Sequence, residues 1–539
     1  MTKSDRAAII RSFRFEWSVL SKLALGLCLL LALLVSLHLS GCALAKSPDY
    51  PAIPTSGQKA DASAAPRPVE TGDGLEPSAT REPLAENQII QLRVAGNWEA
   101  STVQLMANYQ ALLAAEESTL TAEQQGGDQI DPDWLAAYHG RLQIIQVPLP
   151  GGVLTSEQAA LWTAADNWPD LVQTQSYYPT GEKESPFIDL SIYLQDEANL
   201  SADRTFASLV HISQGRSFSG GVPYRVSLPV VFYKQSLLDQ LQLDVPSREW
   251  TWQAFQQLLD ETSDRLNREN LLLDQPGLQT LLADTTSLPE LTADSPIAPS
   301  LGIESLLDYR PGMQAPELGI AAWDGRNFAV QDPSFVESIR DLQDMGAQGS
   351  TLFDVNWPDS SGVKRLTDRG QAVFWLGLTS DLSATQSRSW QIANKNQDDL
   401  GWAFLPRIED DRVPRYPVVL DTLAVSNSCL EPEAAARLAV FMALDPNAQL
   451  LATRLDWKPG TFPVIRDAGV WTALARSQMD DDSLLRIQTL LDSTFSDGRY
   501  QDPAWEGRHQ LLARALPETL LPAEDLQQAL EQVDLQVNP

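Results

Sequence analysis

The sequence predicts an α/β fold, and two stretches carry that expectation. Residues 89–95 read as a strand, Gly96-Asn97-Trp98-Glu99 as a turn and 102–113 as a helix, which is how an α/β unit opens. The second stretch is 221–255. Val222-Pro223-Tyr224 and Val230-Val231-Phe232-Tyr233 are β-branched and aromatic and follow Gly220-Gly221, so both read as extended segments feeding a sheet. Leu237, Leu238, Leu241 and Leu243 then keep helical spacing until Pro246 stops them. Thr251 is placed to cap a new helix that carries Trp252, Phe255, Leu258 and Leu259 on one face.

Further elements follow in order. Residues 142–147 read as a second strand and 157–165 as a short helix. The region 260–316 has Leu-rich pieces separated by Asp, Thr, Ser and Pro and reads as helical with loops, an insertion being one reading of it. Between extended segments, Asp324-Gly325 is a hairpin signal, which gives Asp324 a turn role. Asp332-Pro333 opens a helix through Val336, Ile339 and Leu342 that ends at Gly346. Residues 418–425 form another buried strand, and 505–516 and 524–532 are closing helices.

Composition narrows the function. The 539 residues allow two or three domains, and 43% hydrophobic content suffices for their cores. A formal charge of −32 and a pI near 4.4 exclude nucleic acid as a partner, because phosphate recognition needs the opposite sign. Lys3, Arg6, Arg11, Arg14 and Lys22 precede an apolar run over 23–39, the pattern of a signal peptide over 1–41; a plain transmembrane anchor is the alternative. Leu39-Ser40-Gly41-Cys42 resembles the bacterial lipobox, which implies that Cys42 is lipidated and holds the protein on the outer face of the cell membrane. Residues 42–88, rich in Pro, Ala, Ser, Gly and Glu, read as a disordered tether. With Cys28 in the signal and Cys42 acylated, Cys429 is left alone, so no intramolecular disulfide is expected. It reads as a small buried hydrophobe.

The 221–255 stretch resembles the extracellular solute-binding proteins of ABC importers, the sugar-binding group, in which Gly-Leu-Pro-Tyr is followed by Tyr-Asn-Lys, a short helix, Pro and Thr-Trp-x-x-Phe. Here Gly221-Val222-Pro223-Tyr224, Phe232-Tyr233-Lys234, Pro246 and Thr251-Trp252-Gln253-Ala254-Phe255 keep that order. Lys234-Gln235 stands where the family has Asn-Lys, which argues against a fixed role for that Asn. The likeness extends through Pro169-Asp170-Leu171-Val172, the Asp-Leu segment at 188–190, the Gly370-Gln371-Ala372 strand, the return strand at 400–406, the Ala-rich helix at 431–444 and the turn at 456–464.

The resemblance implies a two-lobed periplasmic-binding-protein-like fold of type II with a ligand cleft between the lobes. Residues 89–224 and about 404–455 would form the N-lobe, and about 225–403 with 456–539 the C-lobe. It implies a monomer that captures a small molecule, expected to be a carbohydrate, by closing on it, and delivers it to the permease subunits. Neither catalysis nor a cofactor is implied.

A neutral sugar needs flat aromatic faces for its C–H side and carboxylates, amides or Arg for its hydroxyls. Trp162, Trp252 and Trp402 sit in periodic patterns and read as core. Aromatic and polar residues in strand-to-helix loops lie where α/β clefts form. By that rule the candidates are Asn97, Trp98, Glu99, Tyr177, Tyr178, Tyr224, Arg225, Trp375, Thr379, Asp421, Trp457 and Trp505. Two departures from the family stand out. Leu378 or Thr379 occupies a place that often holds Trp, and Asp421 one that often holds Gly. Asp421 is either a hydroxyl or cation acceptor or a solvated turn carboxylate.

An enzyme would need a nucleophile, a base or metal ligands. The 4 His residues have no metal-ligand spacing, and Walker, nucleophile-elbow and dinucleotide loops are absent from the sequence. Carboxylate pairs among 71 acidic residues keep a glycosidase-like lipoprotein as the alternative, beside a non-transporting sensor relative. The α/β pattern with cleft-type loops disfavours an adhesin.

Overall fold

Gly221 marks the entry to the strand on which both halves of the molecule depend. Its φ of 101° is a left-handed value that suits glycine, and a Cβ there would stand 2.6 Å from the Leu423 carbonyl oxygen. Beyond it the chain runs through β4 (Val222–Ser227), a single residue, Leu228, and β5 (Pro229–Lys234). Most of residues 89–538 are described by the computed structural model; segments outside it include 116–139, 176–185, 284–291, 354–360, 383–399 and 409–414.

Among the described residues β4 belongs to one sheet and β5 to another. The larger sheet has the order β11-β4-β10-β3-β1-β2, with β1 (Ile90–Ala95), β2 (Leu142–Gln146), β3 (Leu171–Thr174), β10 (Val419–Val425) and β11 (Phe462–Pro463). β1 pairs in parallel with β2 and β3, while β10 runs antiparallel to β3 and β4. The β4–β10 register shifts between Asp421 and Thr422, beside Pro223. Proline has no N–H to give the ladder, and a bulge absorbs the missing bond.

The smaller sheet has the order β6-β7-β5-β8, with β6 (Ala298–Leu301), β7 (Ala372–Leu378) and β8 (Leu400–Phe404). A short parallel pair, β9 (Tyr416–Pro417) with β12 (Thr494–Phe495), lies where the chain passes again between the two. The Tyr416 hydroxyl accepts from the Leu405 N–H at 2.8 Å and donates to the Pro229 carbonyl at 2.7 Å, binding two passages together. One buried apolar cluster runs through both halves, from Leu92 and Val94 past Tyr416 and Val418 to Phe335 and Ile339. The result is the two-lobed α/β fold.

Local signals place the helices. Thr251 accepts from the Ala254 N–H at 3.2 Å and starts Trp252–Arg268, which buries Trp252, Phe255 and Leu259. Asp332 accepts from the Ser334 N–H at 2.8 Å and starts Pro333–Ala347. Asp324 makes its turn by accepting from the N–H groups of Arg326 and Asn327, with a Trp323–Phe328 bridge across it. Cys429 is buried, and burial, ahead of the neighbouring Asp170 carboxylate, pushes its thiol up to about 12.

Two expectations need amending. Among the described residues the region 260–316 is helical with loops as expected, but it also holds β6, a fully buried strand of the smaller sheet. The change of lobe expected at 456 does not coincide with a change of sheet, because β11 pairs with β4 and the helix Ala468–Ser477 packs on Pro446–Leu455. The chain changes side later, through β12, and ends in Trp505–Leu520 and Leu526–Val537, packed on one another, with the former also against Pro333–Ala347.

Candidate functional site

The ends of β1 and β3 and the start of β10 lie on one edge of the larger sheet, where a polar network forms. Gln173 is its centre. Its side-chain oxygen accepts from the Asn97 N–H at 3.0 Å, and its amide donates to Asp421 Oδ2 at 3.0 Å. Gln175 donates to Asp421 Oδ1 at 3.1 Å. Burial raises the Asp421 carboxyl above its ordinary range, and the two amides and then the charges of Arg225 and Arg499 offset this only in part. Arg225, opposite Asp421 in the ladder, is 2% exposed and lies 4.6 Å over the Tyr224 ring. Tyr224 in turn meets Trp98 edge-on at 6.1 Å.

The smaller sheet contributes an aromatic cavity of about 300 Å³ whose lining includes Phe232, Tyr309, Lys364, Trp375 and Asp381. Trp375 is half-buried and stacks on Phe232 at 5.8 Å and 28°. Asp381 accepts from the Leu378 N–H at 2.8 Å. Burial, followed by the carboxylates of Asp308, Asp381 and Asp497, drives the Tyr309 phenol upward, so it stays a neutral donor. Arg499 is bound to Asp497 and lies 3.9 Å from Glu506, and its charge is a minor influence that lowers both Asp421 and Tyr309.

This combination of flat rings, neutral amides, a phenol and a carboxylate can hold a polyhydroxylated ring by its faces and its hydroxyls. It suits a sugar.

The candidates from sequence distribute unevenly over this arrangement. Asn97 and Asp421 belong to the polar network, and Trp375 lines the cavity. Trp98, Tyr224, Arg225 and Trp505 are all under 5% exposed, so they support the walls in this conformation. The indole N–H groups of Trp98 and Trp505 find no acceptor among the described residues. Glu99 is exposed at the start of Ala100–Ala115, where its carbonyl accepts from Thr102 and Val103. Thr379 is wholly buried and exchanges hydrogen bonds with Leu228, its hydroxyl accepting at 3.0 Å and its N–H donating at 2.8 Å. That ties the end of β7 to the residue between the two sheets. Tyr177, Tyr178, Trp457 and Cys42 lie outside the described residues.

Gln173, Gln175, Tyr309, Asp381 and Arg499 were not singled out from sequence. Gln173 and Gln175, two apart after Leu171-Val172, share one face at the end of a strand, and that spacing was a usable signal.

Beside Arg499, His509 stacks on Trp505 at 4.5 Å and bonds Asp308 at 2.9 Å. Burial alone would lower its pKa, but Asp308 and then Glu506 outweigh burial and the Arg499 charge and hold it above the ordinary value. A raised cation stabilises the fold below the unfolded value, about 6.5, and loses that contribution as pH rises through the folded value. Wild type should therefore melt above His509→Gln at pH 5.5, and the gap should narrow toward pH 9. A gap independent of pH in calorimetry would exclude the ion pair.

No protein-family model matches the sequence, and no curated protein matches it. Solved structures do. An ABC substrate-binding protein from Listeria monocytogenes in complex with cycloalternan matches with a TM-score of 0.54 and 10% identity, over 84% of this chain and 98% of that one. A cyclic alpha-maltosyl-1,6-maltose binding protein from Arthrobacter globiformis gives 0.53 and 14%, over 84% and 98%. A sugar transporter protein from Rhizobium etli in an open conformation gives 0.52 and 14%, over 83% and 99%. At such identities the likeness concerns architecture: the chain has the two-lobed α/β fold of ABC-transporter sugar-binding proteins.

Proposed function

We propose that the protein is the solute-binding component of an ABC importer and that it captures an oligosaccharide between its lobes. The observation that carries this reading is the pairing of the Asn97–Gln173–Asp421–Gln175 network on one sheet with the Trp375–Tyr309 cavity on the other, joined at Leu228. A guest that touches both surfaces stabilises the closed arrangement, and the passages between sheets absorb the rotation. The permease then recognises the closed form, and the ATPase partner supplies the energy of transport.

Lipidation at Cys42 and anchoring outside the membrane are part of the same proposal, supported by the Leu39-Ser40-Gly41-Cys42 motif. The intact mass of membrane-extracted protein tests it, since acyl groups must appear on a chain that begins at residue 42.

The ligand test is a thermal shift against maltose, maltotriose, cycloalternan, amino acids and polyamines. A guest bound only by the native state raises Tm by mass action, about 2.7 kcal/mol at a hundredfold excess over Kd. At least one saccharide should raise Tm, and Trp375→Ala should remove most of that rise. A rise confined to amino acids or polyamines would overturn the sugar assignment, and cleavage of the saccharide would replace it with an enzymatic one.

A further inference from the structure

The turn that holds Gly460 brings the backbone of one lobe against the other. Gly460 has a φ of 77°, and a Cβ built on it would stand 1.7 Å from the Thr379 carbonyl oxygen and 3.2 Å from the Ser380 nitrogen. Such a carbon would sit roughly 1.5 Å inside normal contact distance. The colliding atoms are backbone on both sides, so no rotamer change relieves them. The turn is itself fastened, because the Thr461 N–H and hydroxyl both donate to the Lys458 carbonyl, at 3.3 and 2.9 Å. It leads directly into β11 of the larger sheet. Thr379 follows β7 of the smaller sheet and is held to Leu228 by two hydrogen bonds. Gly460 thus presses on the segment that is bonded to Leu228.

We propose that the turn at Gly460 is the stop that sets how far the lobes can close. Glycine at 460 admits Thr379 to backbone contact, and any side chain at this position holds the lobes wider apart. The inference rests on the reading that the lobes rotate about Leu228, and it does not require that the guest be a sugar.

The test measures lobe separation in the ligand-free chain. Nitroxide labels go on Leu161→Cys and Leu535→Cys, positions 58% and 71% exposed on helices of opposite lobes, with Cys28 and Cys42 changed to Ser and Cys429 left buried. Electron–electron resonance should report longer distances in Gly460→Ala than in the parent. Gly349→Ala is the control, because it has a φ of 74° and its nearest contact is 3.7 Å, so it carries the backbone strain without a collision. It should leave the distances unchanged. Equal distances in Gly460→Ala and the parent would overturn the proposal. Amide exchange in the unaltered protein supplies a measurement that does not depend on the variant folding. Peptides covering 379–381 and 459–462 should open with one common free energy, and unequal values would also overturn it. Longer distances combined with no saccharide stabilisation would keep the stop and remove the sugar reading.

Discussion

Arg310→Ala should cost the folded state about 3–5 kcal/mol, the usual penalty for leaving a buried charge without its partner. Arg310 is 4% exposed on the helix Leu306–Gln314, and its guanidinium stands 2.5 Å from Asp341, 3.7 Å from Glu337 and 4.3 Å over the Trp252 ring. Trp252 completes the group by donating its indole N–H to Asp341 at 2.9 Å. One side chain therefore fastens three helices of the second lobe. Truncation would leave Asp341 with only the Trp252 donor, in a place where burial already raises its carboxyl and Arg310 is the main restraint on that rise. A raised carboxyl contributes stability only below its unfolded pKa, so the deficit of the variant should be largest at neutral pH and shrink on acidification as Asp341 takes a proton. Denaturant titration at pH 7 and pH 4 measures both. A loss under about 1 kcal/mol, ordinary for an exposed pair, would show that the guanidinium is not held as described.

Asp421→Asn should separate binding from stability. In the folded protein the carboxyl is raised, chiefly by burial, so its charge is a burden that grows as pH rises above about 4. The variant should therefore melt at or above wild type at neutral pH, and the two should converge on acidification. Binding should respond in the opposite direction. A hydrogen bond to an ionised group contributes about 1.5–3 kcal/mol. Its loss should weaken the saccharide that raises Tm most by roughly 10–150-fold in calorimetric titration. An unchanged Kd would mean that Asp421 serves only Gln173 and Gln175.

The fold was legible because its signals are local and repeated. The two strands that flank Leu228, the Thr251 and Asp332 caps and the Asp324-Gly325 turn each follow from residues close in sequence. What sequence reasoning missed lies elsewhere. Ala298-Pro299-Ser300-Leu301 has the composition of a loop, and only pairing with β7 makes it a strand. The loop position of Thr379, at a place that often holds Trp in the family, points to the cleft, but its bonds to Leu228 come from a residue 151 positions away. Gln173 and Asp421, 248 apart, meet only once β10 lies beside β3. Loop position alone does not expose an aromatic ring, since Trp98 and Trp505 turn inward. Gly96 illustrates why, since a Cβ there would stand 2.4 Å from the Trp98 ring that covers it.

The strand order β11-β4-β10-β3-β1-β2 also governs how the polypeptide can be made. β3 and β4 become neighbours only through β10, which leaves the ribosome some two hundred residues after them, and β11 follows later still. Throughout most of its synthesis the growing chain therefore cannot assemble its principal sheet. Completion of that sheet waits on strands made late in the chain, a non-local pairing that slows folding.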